Sequence, residues 1–353
     1  MRALVTGGAG LVGAHIVRAL LAAGHEVRCL VRLTTRRDAL DKMPIEWFVA
    51  DVTRPSDDLD AACRGCDVVF HAAAHFAYAG VAAEELRRIA IDGTDAVLRS
   101  CSRQGVRRVV VTSSSVVFGY SKDKTINDET ARAPDPGDEP GYVTAKIAQH
   151  HHALRLAGHL GLDVRLACPT MTIGPTFARL GPSNGAVVAY LADPFGSTYP
   201  GGCNLVSARD VAAGHLAIAE SGSIGESYLL GSGNVTWQQV HSMIAELAGV
   251  PAPRIELNHT TAYLAAAGEE IRAALTGRIA LSTREQASMI GRYYWYSHHK
   301  ATMLGYAPAP VRDAMVETLS WLAASPHVTR ETRTRMRLSP EIYGFRACAK
   351  TAI

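Results

Sequence analysis

The chain lacks any long hydrophobic run, although 48% of its 353 residues are hydrophobic. No stretch contains the roughly 20 consecutive apolar residues that a helix needs to cross a bilayer. The sequence also starts with "MRALVTGGAG", which has the pattern of a strand and a turn, so we expect no signal or transit peptide before the fold. These observations predict a cytoplasmic protein with no membrane partner.

An excess of one charge is also missing, because 36 basic residues balance 33 acidic ones and leave a net charge of +3. A chain so close to neutral is not expected to bind nucleic acid as its main partner. The exception is a basic C-terminal extension, residues 326–353, which carries Arg330, Arg333, Arg335, Arg337, Arg346 and Lys350. We expect a solvated or partly disordered extension there rather than a binding tail.

The seven cysteines lack the even number and regular spacing of a disulfide framework, which favours a reducing compartment. Cys63 and Cys66 form a lone CxxC without a second pair or a histidine cluster at metal spacing. We interpret both as small apolar residues beside a strand. The consecutive His150, His151 and His152 point in different directions on a helix, so we expect no metal site.

Strand-like and helix-like segments alternate through the first half of the chain. The predicted strands are apolar throughout, as in a parallel sheet that is covered on both faces. They are "ALVTG", "HEVRCLVR", "IEWFVAD", "DVVFHAAA", "RRVVVTSS" and "DVRLACP", with "SYLLG" later in the chain. The pattern predicts an α/β fold with a doubly wound parallel (Rossmann) sheet, which binds ligands at the carboxyl ends of its strands.

The pattern changes after Pro169, where a segment rich in glycine and proline predicts loops and short helices. We therefore divide the chain into a dinucleotide-binding domain and a smaller mixed substrate lobe. The domain spans residues 1–169 with returning pieces in 204–231, and the lobe spans 170–203 and 232–325. The basic extension follows.

A glycine triplet lies between the first strand and the first helix, in "VTGGAGLVGAH". Gly7, Gly10 and Gly13 allow a sharp turn and let a pyrophosphate approach the helix N-terminus, where backbone N–H groups and the helix dipole favour an anion. Leu11 and Val12 begin that helix. Because the triplet follows a strand and opens a helix, it predicts a dinucleotide site.

The end of the second strand indicates which dinucleotide binds. An acid that binds the ribose is expected about 20 residues beyond the glycines. Here the strand ends at Val31 and Arg32, with Arg36 and Arg37 close behind. Arginine can hold a 2′-phosphate through paired charge-assisted hydrogen bonds, so we expect NADP(H) to be preferred over NAD(H).

A Tyr-x-x-x-Lys pair occurs in "GYVTAKIAQ". The i, i+4 spacing puts Tyr142 and Lys146 on one face of a helix. A nearby ammonium favours the phenolate, so we expect Lys146 to lower the pKa of Tyr142.

With these motifs the chain resembles the extended short-chain dehydrogenase/reductase family, and within it the dihydroflavonol 4-reductase-like branch with its hopanoid-associated epimerase-like members. The resemblance covers Met1 to about Leu322 and includes "TGGAGLVG", "ADV", "HAAA", "TSSS", "YVTAK", "CPTMTIGP" and "LGYAPAP". It implies that Ser114 binds the substrate oxygen, Tyr142 is the general acid/base and Lys146 holds the nicotinamide ribose. It also implies that Asp51 and Val52 meet the adenine, and that Ala72, Ala73, Ala74 and Pro169 line the cofactor path.

Two departures from the family pattern carry information. Ala90 stands where members usually have an asparagine that supports a water behind the lysine, which puts the usual proton relay in doubt. Ser115 and Val116 stand where the family's sugar dehydratases have Asp-Glu, which argues against dehydration.

Three functions stay open at this point. The first is an NADPH-dependent reductase of ketones or aldehydes, the second a nucleotide-sugar epimerase, and the third a non-catalytic cofactor sensor. Arg32 favours the reductase. The aromatic cluster Tyr293–Tyr296, with Phe177, is either core packing or a lining for a lipophilic, aromatic or polycyclic substrate. A homodimer through the helices near 84–102 and 143–160 is a hypothesis from the resemblance.

Overall fold

The structure is a computed structural model. It describes residues 1–37, 40–73, 82–132, 135, 139–176, 180–276, 280 and 282–351, and of residues 346–351 it describes the backbone alone. Ala74 and Phe177, both named above, lie outside the described residues.

A seven-stranded, fully parallel sheet forms the centre of the described chain, in the order β10-β6-β5-β4-β1-β2-β3. Its strands are β1 (Arg2–Thr6), β2 (Glu26–Val31), β3 (Ile45–Val49), β4 (Val68–His71), β5 (Arg108–Thr112), β6 (Asp163–Pro169) and β10 (Ser227–Leu230). Strand order reverses between β1 and β4, which is the switch point where such sheets bind ligands. The predicted doubly wound fold is confirmed, and each of the seven predicted strands is present.

Helices cover both faces of this sheet. α1 (Leu11–Ala22) and α6 (Ala208–Ser221) pack together on one face, while α2 (Asp57–Cys63), α3 (Ala83–Arg103) and α4 (Gly141–Leu160) cover the other. Strands buried on both faces need apolar side chains on both faces, which explains why the sequence of β4 and β5 is continuously apolar. α3 and α4 lie side by side, so α4 is held close to the ends of β4 and β5.

A smaller mixed sheet forms the second core. β9 (Gly202–Ser207) pairs in parallel with β7 (Met171–Ile173) and β13 (Tyr293–Tyr294), and antiparallel with β11 (Gly233–Thr236). A further pair joins β8 (Ser197–Thr198) to β12 (Ile255–Glu256). The surrounding helices are α5 (Pro182–Ala192), α7 (Trp237–Ala248), α8 (His259–Thr276), α9 (Arg284–Ala287), α10 (His299–Thr302) and α11 (Val311–Leu322).

The structure departs from the proposed division of the chain within residues 204–231. β10 joins the large sheet and α6 packs on it, but β9 belongs to the mixed sheet. The reason is that β9 pairs with β7, which follows β6 directly after Thr170.

The basic extension is not a solvated tail over residues 328–345. It forms α12 (Arg330–Arg335) and α13 (Pro340–Thr351), and it buries Val328, Met336 and Ile342 in the core of the smaller lobe. Arg312 of α11 binds the carboxylates of both Glu246 and Glu341 at 2.7 Å. The expectation of disorder was wrong because apolar residues recur between the arginines and reach the lobe core.

Cys63 and Cys66 are buried, unbridged thiols, as are Cys29, Cys101, Cys168 and Cys203. Across the ranges described above, no helix is both long and apolar enough to span a membrane.

Candidate active site

The glycine loop connects β1 to α1 beneath the end of β4. Gly7 has a φ of +68°, and a Cβ added there would lie 2.7 Å from Cα of Ala73. A Cβ on Gly13 would overlap the carbonyl oxygen of Gly7, while the N–H of Gly10 donates to that same oxygen at 2.9 Å. Only glycine fits at positions 7 and 13 without moving the backbone.

The start of α1 fits the phosphates of a dinucleotide. Gly10 is the N-cap residue, no side chain of the described chain caps this helix end, and its first turn has no acidic residue. The first N–H groups, from Leu11, Val12 and Gly13, therefore face outward with the positive end of the helix dipole. Such a site is suited to a pyrophosphate.

Ala72 and Ala73 follow β4, and the backbone of Ala73 contacts the glycine loop. Pro169 ends β6 two strands away, at the same edge of the sheet. Ala72, Ala73 and Pro169, which were predicted to line the cofactor path, thus lie along one edge of the sheet. Ala74 is outside the described residues.

Arg32 and Asp51 lie at the ends of the adjacent strands β2 and β3. Asp51 accepts hydrogen bonds from Thr53, 3.0 Å from the backbone N and 2.8 Å from the hydroxyl. These bonds, with the positive charges of Arg32 and Arg54, lower the pKa of Asp51. The exposed Arg32 and the carboxylate of Asp51 therefore lie at the carboxyl ends of neighbouring strands, on the edge of the sheet where doubly wound folds bind their ligands.

Val52, the residue after Asp51, packs against Gly93 of α3. A Cβ added to Gly93 would be 3.4 Å from Cγ2 of Val52.

The first two hydroxyls of "TSSS" contact buried histidines. Thr112 Oγ1 lies 2.9 Å from Nε2 of His215 on α6, and Ser113 Oγ lies 2.9 Å from Nδ1 of His150 on α4. Burial lowers the pKa of both histidines to about 4, so both are neutral at pH 7. Thr112 and Ser113 tie the sheet to a helix on each face.

The next two hydroxyls contact tyrosines. Ser114 hydrogen-bonds Tyr142, and its Oγ also accepts from the N–H of Val116 at the start of a short 3-10 helix, Ser115–Phe118. Ser115 hydrogen-bonds the buried Tyr296. Of the four, Ser114 is the hydroxyl that meets Tyr142.

Tyr142 and Lys146 lie one turn apart on α4, with exposures of 8% and 5%. Burial raises the pKa of Tyr142 to about 12, against the opposing effect of its hydrogen bond to Ser114. Burial also lowers the pKa of Lys146 to about 8. The predicted lowering of the Tyr142 pKa is wrong in direction, because desolvation of the phenolate outweighs the hydrogen bond to Ser114.

Lys146 is held by two acceptors. Its Nζ donates to the carbonyl oxygen of Thr112 at 3.1 Å and to Oε1 of Gln149 at 2.8 Å. Sequence reasoning missed Gln149. Ala90 cannot contact Lys146 through a polar side chain, which suggests that another residue does so. No motif or spacing in the sequence indicates that this residue is at position 149.

Three of the four aromatic residues in the cluster Tyr293–Tyr296 have their polar atoms hydrogen-bonded to protein. Tyr296 donates to the carbonyl oxygen of Gly119 at 2.6 Å, and Nε1 of Trp295 donates to that of Val235 at 3.2 Å. Tyr294 accepts from Arg292 at 3.3 Å. These contacts favour the packing interpretation for all three.

The smaller lobe also holds the start of α4. Arg292 pairs with the buried Glu139 at 2.8 Å and stacks over the ring of Tyr120 at 4.2 Å. Glu285 of α9 accepts the N–H of Gly141, the first residue of α4. Tyr142 is therefore positioned from both sides, by the sheet through Ser114 and by the lobe through Glu285 and Arg292.

Within the described ranges, no three His, Cys, Asp or Glu residues are grouped so that they could bind a metal ion.

Comparisons with known proteins identify the family of this chain. The model of the NAD dependent epimerase/dehydratase family matches residues 3–231. The Synechocystis sp. protein named "Putative dihydroflavonol 4-reductase" is 31% identical over 322 residues, covering 90% of this chain and 93% of its own. Sterol demethylase protein B of Methylococcus capsulatus is 31% identical over 258 residues, covering 73% of this chain and 77% of its own.

A solved structure shares the whole architecture. The crystal structure of gox2253 superposes with a TM-score of 0.81 at 29% identity, covering 93% of this chain and 99% of that one. The chain belongs to the NAD dependent epimerase/dehydratase family. It is an NAD(P)-dependent enzyme of the extended short-chain dehydrogenase/reductase type, as the sequence motifs indicated.

Proposed function

We propose that this enzyme uses NADPH to reduce a ketone or aldehyde group on a lipophilic, aromatic or polycyclic small molecule. The observation that carries the proposal is the buried hydrogen bond between Ser114 and Tyr142 beside Lys146. All three groups lie near the end of β5, next to the switch point of the sheet.

A nicotinamide cofactor, when bound, would supply the hydride for the carbonyl carbon. Ser114 binds the carbonyl oxygen, and Tyr142 donates its phenolic proton to that oxygen as the C–H bond forms. A phenol with a pKa of about 12 is protonated at neutral pH, which is the state that reduction requires. Lys146 binds the ribose and keeps a positive charge beside the phenol as it loses its proton.

NADPH is the proposed cofactor because Arg32 lies exposed directly after β2, where the ribose 2′ position is expected. Its guanidinium can bind a 2′-phosphate with two parallel hydrogen bonds. Initial rates with NADPH and NADH, at equal concentration and with one substrate, test the preference directly.

Two relatives support a lipophilic substrate, because their names refer to a dihydroflavonol and a sterol, both polycyclic molecules. Purified enzyme should oxidise NADPH when given such carbonyl compounds. A panel of aromatic ketones, steroid ketones and short aldehydes, followed by product analysis, identifies the class.

The alternative is epimerisation of a nucleotide sugar, which uses the same three residues but returns the hydride to the substrate. It is retained because the matching family includes epimerases. Formation of a C-epimer without net cofactor turnover would select it. Dehydration is disfavoured, because Ser115 and Val116 supply neither an acid nor a base and Ser115 is bonded to Tyr296. A non-catalytic sensor would need none of the three residues.

A homodimer through α3 and α4 stays part of the proposal. Light scattering on the purified protein tests it, and a monomer would reject it.

A further inference from the structure

A buried polar chain leads away from Lys146 between α3 and α4. Gln149 accepts from Lys146 through Oε1 and donates from Nε2 to Oγ1 of Thr94 at 2.9 Å. Thr94 in turn donates to the carbonyl oxygen of Ala90 at 2.8 Å. Gln149 and Thr94 are 2% and 0% exposed, so water does not compete for these bonds.

The same series of buried hydrogen bonds continues to the glycine loop. Nε2 of His71 lies 3.4 Å from Oγ1 of Thr94, and its Nδ1 lies 2.8 Å from Oγ1 of Thr6, the residue before Gly7. Thr6 also accepts from the N–H of Ala73 at 3.3 Å. The groups around Lys146 are thus connected to the backbone that contacts the glycine loop.

The hydrogen-bond directions fix how Gln149 is oriented. Thr94 has one hydroxyl proton, which goes to Ala90, so toward Gln149 it can act only as an acceptor. The amide group of Gln149 must therefore point its Nε2 at Thr94 and its Oε1 at Lys146. A flipped amide would place two donors against the ammonium and leave a buried bond unmade.

We propose that Gln149 is a positioning residue for Lys146, supplying the contact that Ala90 does not. An ammonium has three N–H donors, and fixing two of them on Thr112 and Gln149 fixes the direction of the third. The inference rests on the proposed function, in which Lys146 acts on ribose and on Tyr142.

The titratable groups that face Lys146 are Tyr142, His71, His150 and Cys168. Burial lowers the pKa of His71 to about 3 and raises the pKa of Cys168 to about 12, so both are neutral at pH 7. His150 is neutral as well. The carbonyl oxygen of Thr112 and the amide oxygen of Gln149 are therefore the two hydrogen-bond acceptors that stabilise the ammonium form.

The test measures the pKa of Lys146 itself, by NMR of protein labelled with ¹³C at the lysine ε-carbon. The chain has six lysines, Lys42, Lys122, Lys124, Lys146, Lys300 and Lys350, so the signals are few, and Lys146→Met identifies the signal of interest. Gln149→Leu should lower the pKa of Lys146 by about one pH unit or more, because a hydrogen bond to a charged group is lost. Gln149→Glu keeps an acceptor, adds a negative charge and should raise it.

Thr94→Val tests the orientation argument, because it removes the acceptor that holds Nε2 of Gln149. It should also lower the pKa of Lys146. Thr318→Val is the matched control: Thr318 is equally buried and donates to the carbonyl oxygen four residues earlier, at 2.7 Å, but lies in α11. It should leave the pKa of Lys146 unchanged.

An unchanged pKa of Lys146 in folded Gln149→Leu would overturn the inference, and circular dichroism establishes folding. If the pKa shifts as expected but no carbonyl compound is reduced, the positioning role stands and the proposed reaction fails. If reduction occurs and the kcat of Gln149→Leu equals that of the wild type, the positioning role fails. A loss of about tenfold in kcat, with an altered pH profile, supports both.

Discussion

The ammonium group of Lys146 donates to the carbonyl oxygen of Thr112 at 3.1 Å, which ties α4 to the last residue of β5. This bond places Lys146 beside the strand end from which Ser114 reaches Tyr142. The sheet edge and the helix therefore form one unit, and the proposed chemistry depends on both.

Burying this ammonium makes the stability of the fold depend on pH. The pKa of Lys146 falls from an ordinary value of 10.5 to about 8, so the unfolded chain binds its proton more tightly than the folded one. Each unit is worth about 1.4 kcal/mol. Lys146→Met removes this proton-linked cost, so the difference in free energy of unfolding between wild type and mutant should change with pH, while the proposed activity is lost.

The pH dependence fixes the sign of this effect. The penalty is full below about pH 8 and disappears as the pH rises to 10.5, so wild-type stability should rise across that window relative to that of Lys146→Met. Urea unfolding at pH 7 and pH 10 measures both proteins. A difference in free energy of unfolding between the two proteins that is the same at pH 7 and pH 10 would contradict the account.

The glycine loop should fail when Gly7 becomes alanine. The new Cβ would meet the backbone of Ala73 and would also be strained by a φ of +68°. Gly24→Ala is the control, because Gly24 also has a positive φ, +76°, but has open space around it. This variant therefore shows the effect of backbone strain alone, about 1 kcal/mol, without a steric clash. We expect thermal stabilisation by NADPH to be lost in Gly7→Ala and retained in Gly24→Ala.

Arg32→Ser should lower kcat/KM for NADPH at least tenfold while changing that for NADH little, because two charge-assisted bonds to a 2′-phosphate are removed. Arg107→Ser provides the comparison, since Arg107 is an exposed arginine just before the opposite end of β5. Equal losses with both cofactors would show that Arg32 does not discriminate between them.

The C-terminal helix should stabilise the smaller lobe. Ile342 is fully buried, so Ile342→Ala should lower the free energy of unfolding by about 2–4 kcal/mol. Its neighbour Tyr343 is 58% exposed, and Tyr343→Ala should change stability by less than about 0.5 kcal/mol. Chemical denaturation of both variants gives the comparison, and similar values would contradict the packing of α13.

The parts of this structure that were predictable from sequence are those set by local pattern. Continuous apolar strands, the glycine spacing and the Tyr142–Lys146 interval each lie within one segment. Thr112 contacts His215, which is 103 positions away in the sequence, and Gln149 contacts Thr94, which is 55 positions away. No periodic pattern in the sequence predicts these two contacts. The C-terminal extension was misjudged for the same reason, because its apolar residues are interpretable only once the lobe core that receives them is known.

The central claim is that Tyr142 gives a proton to a carbonyl oxygen as NADPH reduces it. The most direct measurement compares wild type and Tyr142→Phe for NADPH oxidation with a lipophilic ketone, after NADPH-induced thermal stabilisation has shown that both bind the cofactor. The account predicts turnover by the wild type and a loss of at least a hundredfold in kcat in the mutant. Turnover that persists in Tyr142→Phe, with the cofactor bound, would contradict it.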